Sequence, residues 1–221
     1  CAIITLEGKI IDEKTFPTQD PNETMNDIYK YFAEYKILAV GIGAFGPIDI
    51  IKGSPTYGTI LNTPKLKWKG FSFTNSALKN LNVPIIIDTD VNVACVGEVA
   101  YGSAKNLTSV VYITIGTGIG TGIMCEGNLV HGCLHPEGGH VNINKIDSDR
   151  LNCICPSHKN CLEGLGSGVT FQERLKLGYS NEEIFEIIGD YVAQGILNYI
   201  YVLSPQKIIL GGGVMHNDAL F

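Results

Sequence analysis

The sequence predicts an α/β protein. Short apolar runs alternate along the chain with segments of helical character. One such run ends in Asp88-Thr89-Asp90 and passes directly into a helix. Another is followed by a turn with glycine at 116, 118, 120 and 122, and then by a further strand.

Taken in order, residues 1–13 read as two short strands around Glu7-Gly8, and Asn22 after Pro21 is expected to cap a helix through Tyr35. Ile37–Ala44 reads as a buried strand, and the Gly-, Pro-, Ser- and Thr-rich stretch from Phe45 to Gly70 as an ordered loop. A short helix over Phe73–Leu81, a strand over Val83–Ile87 and a helix over Val91–Gly102 follow. Ser109–Ile115 reads as a strand, with a strand pair around Glu126-Gly127-Asn128 after it. Residues 131–168 read as a loop-rich insertion, followed by helices near 164–176 and 181–203 and a last strand over Gln206–Leu210. The expected division is a small N-terminal lobe over 1–92 and a large lobe over 93–221.

The chain has 221 residues, 45% of them apolar, enough for a real core. A net charge of −6, with Lys65, Lys67 and Lys69 spread through a loop, argues against nucleic-acid binding. No apolar run reaches membrane-spanning length, and Cys1-Ala2-Ile3-Ile4-Thr5-Leu6 has neither the basic start nor the cleavage site of a signal peptide. That opening also lacks a Met, and the last strand has no helix after it, so the sequence is expected to be truncated at both ends. Without a secretion signal, the seven cysteines are expected to be free thiols or metal ligands and the protein cytoplasmic.

Three clusters carry chemistry. In VVYITIGTGIGTG, residues 110–122, glycines interleaved with Thr117 and Thr121 let the backbone turn successive N–H groups toward phosphate oxygens. A dinucleotide fingerprint would lead into a helix and a P-loop would end in Gly-Lys-Ser/Thr; neither is present, and a ligand-free hairpin is the competing reading. Asp90, at the end of a buried strand, stands where ligand-facing groups gather in α/β proteins and can accept a hydroxyl proton during phosphoryl transfer. Composition equally allows Asp90 or Asn92 to be a helix cap. Cys155, His158 and Cys161 are evenly spaced for tetrahedral zinc, with His140 as fourth ligand and Cys153 as a competitor. Four protein ligands make such a site structural; the alternative is a set of unligated thiols.

The segments IGAFGPIDI, SPTYGTILNTPKLKWKGF, DTDVNVACVGEVAYGSA, YITIGTGIGTGI, LHPEGGHV, CPSHKNCLEGLGSG and LSPQKIILGGGVM resemble, in this order, the ROK family, and most of all its bacterial fructokinase branch. The resemblance implies an actin-like, two-lobed sugar kinase fold with a zinc-binding loop. It implies ATP-dependent phosphorylation of a hexose, fructose first, using ATP, Mg2+ and structural Zn2+, in a homodimer. Glucose, mannose or an N-acylhexosamine are the alternative substrates, and a sugar-responsive transcriptional regulator is the alternative of another class. Residue by residue, Asp90 matches the catalytic base, and Glu137, His140, Glu163 and Gly46 match sugar contacts. Gly116, Thr117, Gly118 and Gly120 match a phosphate loop, and Gly211, Gly212 and Gly213 match the loop on the adenosine side. His140, Cys155, His158 and Cys161 match the zinc set, although many members have a C-x-C-G-x-x-x-C pattern that this sequence departs from. The family's Asp-x-Gly-Gly-Thr opening loop is not among residues 1–221, in keeping with the expected truncation.

Overall fold

The computed structural model describes residues 1–63 and 65–216. The chain divides into two compact units, one of Cys1–Val93 with Cys133–His135, the other of Ala94–Gly132 with Pro136–Phe221.

In the first unit, β1 (Ala2–Ile4) and β2 (Ile10–Glu13) form an antiparallel hairpin. Helix α1 (Pro21–Ala33) starts one residue before the expected cap, Asn22. Asp20 caps it, accepting from the Asn22 N–H, and Pro21 occupies the first helical position, where a missing N–H costs nothing. Strands β3 (Val40–Ala44) and β4 (Ile85–Thr89) pair in parallel, from Val40 opposite Ile85 to Ala44 opposite Thr89. The expected helix over Phe73–Leu81 is a single 3-10 turn at Ala77–Leu81, capped by the Ser76 hydroxyl and stopped by Asn82 in the left-handed region.

The glycine- and threonine-rich segment after β3 is ordered from within. Buried Asp49 accepts from Ser54 Oγ at 2.5 Å, Thr56 Oγ1 at 2.6 Å and the Ile51 N–H at 3.0 Å. Trp68 stands edge-on to Phe45 and Phe71, and this aromatic set joins Met25, Ile48, Ile60, Leu78 and Ile87 in the unit's core. Each fully buried aliphatic side chain contributes about 1.5–3 kcal/mol, and Ile48 and Ile60 anchor the loop in this core.

Helix α2 (Asp90–Ala100) begins in the first unit and ends in the second. The second unit is built on a four-stranded sheet of β5 (Val110–Ile115), β6 (Ile119–Cys125), β7 (Asn128–Leu129) and β8 (Lys207–Gly211), ordered β7-β6-β5-β8. Strands β5 and β6 are antiparallel, β5 and β8 parallel. The helix expected near 164–176 is two helices, α3 (Leu162–Gly166) and α4 (Gly168–Lys176), parted by an extended Ser167. The run Gly166-Ser167-Gly168 is too poor in helix formers to bridge them. Helix α5 (Asn181–Leu203) opens with a capping box between Ser180 and Glu183 and buries Ile184, Ile188, Tyr191 and Tyr199 against Ile113, Ile115, Leu162 and Leu165. Among the described residues, no helix is long and apolar enough to cross a membrane.

A buried polar knot fixes α3 and α4. Arg174, fully buried, donates through Nη2 to Asp149 Oδ2 at 2.7 Å and to the Leu165 carbonyl at 2.8 Å, and through Nη1 to Thr170 Oγ1 at 2.8 Å. Tyr191 donates to the same carboxylate at 2.9 Å. Burial alone would raise the Asp149 carboxyl, but Arg174, the Leu151 N–H and Tyr191 outweigh it and hold the group below the usual carboxylate range. A depressed folded-state value means the stabilisation is present above the unfolded value and is lost as pH falls through the folded one. Arg174→Met leaves that carboxylate buried and unpaired, so the unfolding free energy falls by about 3–5 kcal/mol at neutral pH. Urea titration measures this; a change within about 0.5 kcal/mol would contradict it.

Candidate functional site

Asp90 is the first residue of α2, directly after Thr89 of β4. The cap is Thr89, whose Oγ1 accepts from the Asn92 N–H at 3.2 Å. The Asn92 side chain is used on Asp88, Nδ2 to Oδ1 at 2.6 Å. Asp90 accepts from the adjoining Val91 N–H at 2.9 Å and, with Thr89 as the cap, its carboxylate is not consumed by capping. It lines a cavity of about 470 Å³ whose wall includes Gly43, Ala44, Phe45, Lys65 and Trp68. Gly43 permits this approach: a Cβ there would lie 3.2 Å from Asp90 Cα and from Val93 Cβ. Burial raises the Asp90 carboxyl above its ordinary value although the residue keeps contact with solvent; the Val91 and Asp90 N–H groups and the charges of Lys65 and His135 oppose the rise. Gly46 follows the lining residue Phe45 and is joined to Pro47 by a cis peptide bond, but is not itself in the lining.

In the second unit the turn between β5 and β6 is only Gly116-Thr117-Gly118, because Ile115 pairs with Ile119. Gly120 lies within β6, opposite Thr114. Thr114 of β5 also pairs with Gly211 of β8, so Gly116–Gly118 and Gly212-Gly213 leave the same carboxyl ends of neighbouring parallel strands. That is where α/β sheets receive ligands. Gly212, at φ +94°, presses on the Ile115 backbone, and only glycine fits there. Among the described residues, a Cβ on Gly116 or Gly213 would meet nothing within 4 Å. Packing among the described residues therefore does not require glycine at those two positions.

The turn is tied to Glu163. The Ile119 N–H donates to Glu163 Oε2 at 2.9 Å, and a Cβ on Gly118 would come within 2.6 Å of that oxygen. Gly118→Val therefore displaces Glu163 and breaks the bond it accepts from the Ile119 N–H, with an expected loss of stability of about 1–3 kcal/mol. Urea titration checks this; unchanged stability would show that Glu163 does not hold the turn. Glu163 sits in the first turn of α3, two residues after Cys161, whose Sγ caps that helix by accepting from the Gly164 N–H at 3.3 Å. On its other side, Glu163 Oε1 lies 3.8 Å from His140 Nε2.

His140 ends a 3-10 turn over Gly138–His140, with Glu137 immediately before it. The turn is seated by the Tyr199 hydroxyl, which donates to the Gly138 carbonyl at 2.6 Å, and by Gly139, whose Cβ would collide with the Ile119 carbonyl. The ligand atoms of His140, Cys155, His158 and Cys161 all lie within 4.8 Å of one another. Cys155 Sγ is 3.3 Å from His158 Nδ1 and 3.9 Å from His140 Nδ1. Bonds of about 2.0–2.3 Å to a tetrahedral zinc would need only a small contraction of this set, and two thiols with two imidazoles are its ordinary donors. With Nδ1 toward the thiols, His140 offers Nε2 to Glu163, the arrangement by which a carboxylate orients a metal-bound imidazole. Cys153 lies outside the four; its Sγ is 4.0 Å from Cys161 Sγ, against Gly164. Among the described residues this is the one cluster of three or more His, Cys, Asp or Glu drawn tightly enough to hold a metal.

Sequence reasoning overlooked Lys65 as a cavity residue, the Thr89 cap and the Asp149–Arg174 pair. Only the Thr89 cap had a signal, a threonine three residues before Asn92.

The ROK family model matches residues 1–221, and the chain belongs to the ROK family. A fructokinase of Lactococcus lactis subsp. cremoris is 42% identical over 97% of this chain and 74% of its own length. A ROK-family glucokinase from Streptomyces griseus, solved in complex with glucose and AMPPNP, superposes with a TM-score of 0.73 at 23% identity, covering 97% of this chain and 80% of its own. A ROK-family transcriptional regulator, a homologue of the E. coli MLC protein, superposes with a TM-score of 0.74 at 19% identity, covering 97% of this chain and 62% of its own. The fold is thus shared by enzymes and regulators.

Proposed function

We propose that this chain is an ATP-dependent hexose kinase whose preferred acceptor is fructose, giving fructose 6-phosphate. The observation that carries this reading is Asp90, a carboxylate left over from helix capping that faces a cavity at the end of β4. A regulator that only binds sugar has no use for a base there. The likeness to a fructokinase at 42% identity favours fructose over glucose, mannose or an N-acylhexosamine.

Asp90 accepts the proton of the attacking hydroxyl as that oxygen moves in line onto the γ-phosphorus and the bond to ADP breaks. Glu137, His140, Glu163 and Gly46 bind the sugar. The backbone of Gly116, Thr117, Gly118 and Gly120 takes the phosphates, and Gly211, Gly212 and Gly213 take the adenosine side. Magnesium comes with the ATP phosphates, in keeping with its preference for few protein ligands. His140, Cys155, His158 and Cys161 hold a structural zinc, which fixes the loop bearing Glu137 and, through His140, the setting of Glu163. The reading includes a homodimer working in the cytoplasm.

Because the base must be ionised, kcat/KM for the sugar falls as pH drops through the Asp90 value, and that acid limb lies above the ordinary aspartate range. A pH profile shows the limb; its absence down to pH about 4 would contradict a raised Asp90. Product analysis by phosphorus NMR tests the reaction itself: a phosphate ester on the 6-hydroxyl of fructose supports it, and ester at no sugar hydroxyl overturns it.

A further inference from the structure

Among the described residues, the cavity that Asp90 faces has one other charged side chain in its wall, Lys65. The rest of the wall is backbone and apolar side chains, with the hydroxyls of Thr18 and Thr24 and the Cys1 thiol. Lys65 is not left to sample solvent freely. Its Nζ lies 3.8 Å from the centroid of the Phe45 ring, and Phe45 is braced edge-on against buried Trp68 at 5.7 Å. A cation over an aromatic face is attracted by the ring's quadrupole, which fixes the ammonium at the rim with donors to spare.

We propose that Lys65 is a substrate-binding and specificity-determining residue, donating to an oxygen of a neutral polyhydroxylated substrate whose reacting hydroxyl faces Asp90. An ionised carboxylate only accepts hydrogen bonds and an ammonium only donates them. A cavity holding one of each between apolar walls fits a ligand that offers a donor and an acceptor side by side, as neighbouring sugar oxygens do. An anionic ligand would be repelled by Asp90 and a cationic one by Lys65, so the pair selects neutral polyols. The positive charge also helps hold Asp90 ionised against the effect of burial, which places the two groups within electrostatic reach of each other. This assignment rests on Asp90 facing the substrate, as proposed above.

Lys65 is exposed at the rim, so replacing it leaves the core untouched. The test is fructose binding by calorimetry, with steady-state kinetics, for the unaltered protein, Lys65→Met and Lys65→Arg, each across a panel of singly deoxygenated fructose analogues. Lys65→Met is expected to weaken fructose binding and raise its KM by about ten- to a hundredfold, the loss of one charged hydrogen bond, with the KM for ATP unchanged. The unaltered protein should discriminate against one particular deoxy analogue, Lys65→Met should lose that discrimination, and Lys65→Arg should keep part of it. A purely structural role would not move this pattern. Unchanged fructose binding and an unchanged analogue pattern in Lys65→Met would overturn the assignment while leaving the kinase reading intact. An unaltered protein that binds no sugar would overturn both.

Discussion

Asp90→Asn is expected to lower kcat for sugar-dependent ADP release by about 100- to 10,000-fold, the usual contribution of a positioned general base. Sugar affinity should change little. The amide keeps the size of the carboxylate and, through its carbonyl oxygen, the bond from the Val91 N–H that Asp90 now accepts at 2.9 Å. The helix start also survives, because Thr89 and not Asp90 caps α2. What is lost is the capacity to take a proton. The replacement also removes a charge from a site where burial disfavours the ionised form. A folded-state value raised above the unfolded one means that ionised Asp90 costs stability at neutral pH, a cost that disappears as pH falls and the group protonates. Asp90→Asn should therefore be slightly more stable than the unaltered protein at neutral pH. Lower turnover with equal or higher melting temperature is the signature of a functional carboxylate; lower turnover with lower stability would make Asp90 a cap after all.

The second large effect follows from taking the metal away. His140 ends a three-residue 3-10 turn, Cys155 and His158 come from segments without regular structure, and Cys161 only caps the five-residue α3. Without an ion, the Cys155 thiol would face the two imidazoles at 3.3 and 3.9 Å, and the region would be left to the Tyr199 bond and to backbone bonds such as Leu162 N–H to the Val141 carbonyl and Ile154 N–H to the Gly164 carbonyl. Purified protein is expected to hold about one zinc per chain, as a closed four-ligand site implies. Chelation, or Cys155→Ser, should reduce stability by several kcal/mol, on the order seen when small zinc-dependent folds lose their ion. Because His140 also faces Glu163 at 3.8 Å, sugar affinity should fall in step with zinc content, and added zinc should restore both. Metal analysis by mass spectrometry alongside thermal melts checks this. Full stability and sugar affinity in a zinc-free protein would show that the cluster is a set of free thiols and imidazoles.

Much of the sheet was legible because its signals are local. Apolar alternation marks β5, and Asp88-Thr89-Asp90 marks the junction of β4 with α2. The Cys/His spacing was readable for the same reason, since Cys155, His158 and Cys161 lie within seven residues. The errors arise where a boundary depends on a single side chain or on weak propensity: Asp20 instead of Asn22 at the start of α1, and Ser167 dividing α3 from α4. Glycine spacing alone could not say that Gly118 ends the turn and Gly120 is already strand; the pairing of Ile115 with Ile119 decides it. The rest was hidden by distance along the chain. Lys65 meets the Phe45 ring 20 residues away, and Arg174 meets Asp149 across 25. No local pattern reports a lysine over a ring or an arginine paired in a core.

The most direct test of the kinase reading is steady-state ADP release, with ATP and magnesium present, across fructose, glucose, mannose and N-acetylmannosamine. Turnover that depends on sugar and is strongest with fructose is the expected result. No sugar-dependent turnover from folded, zinc-loaded protein that still binds a sugar would contradict it and make the chain a sugar sensor.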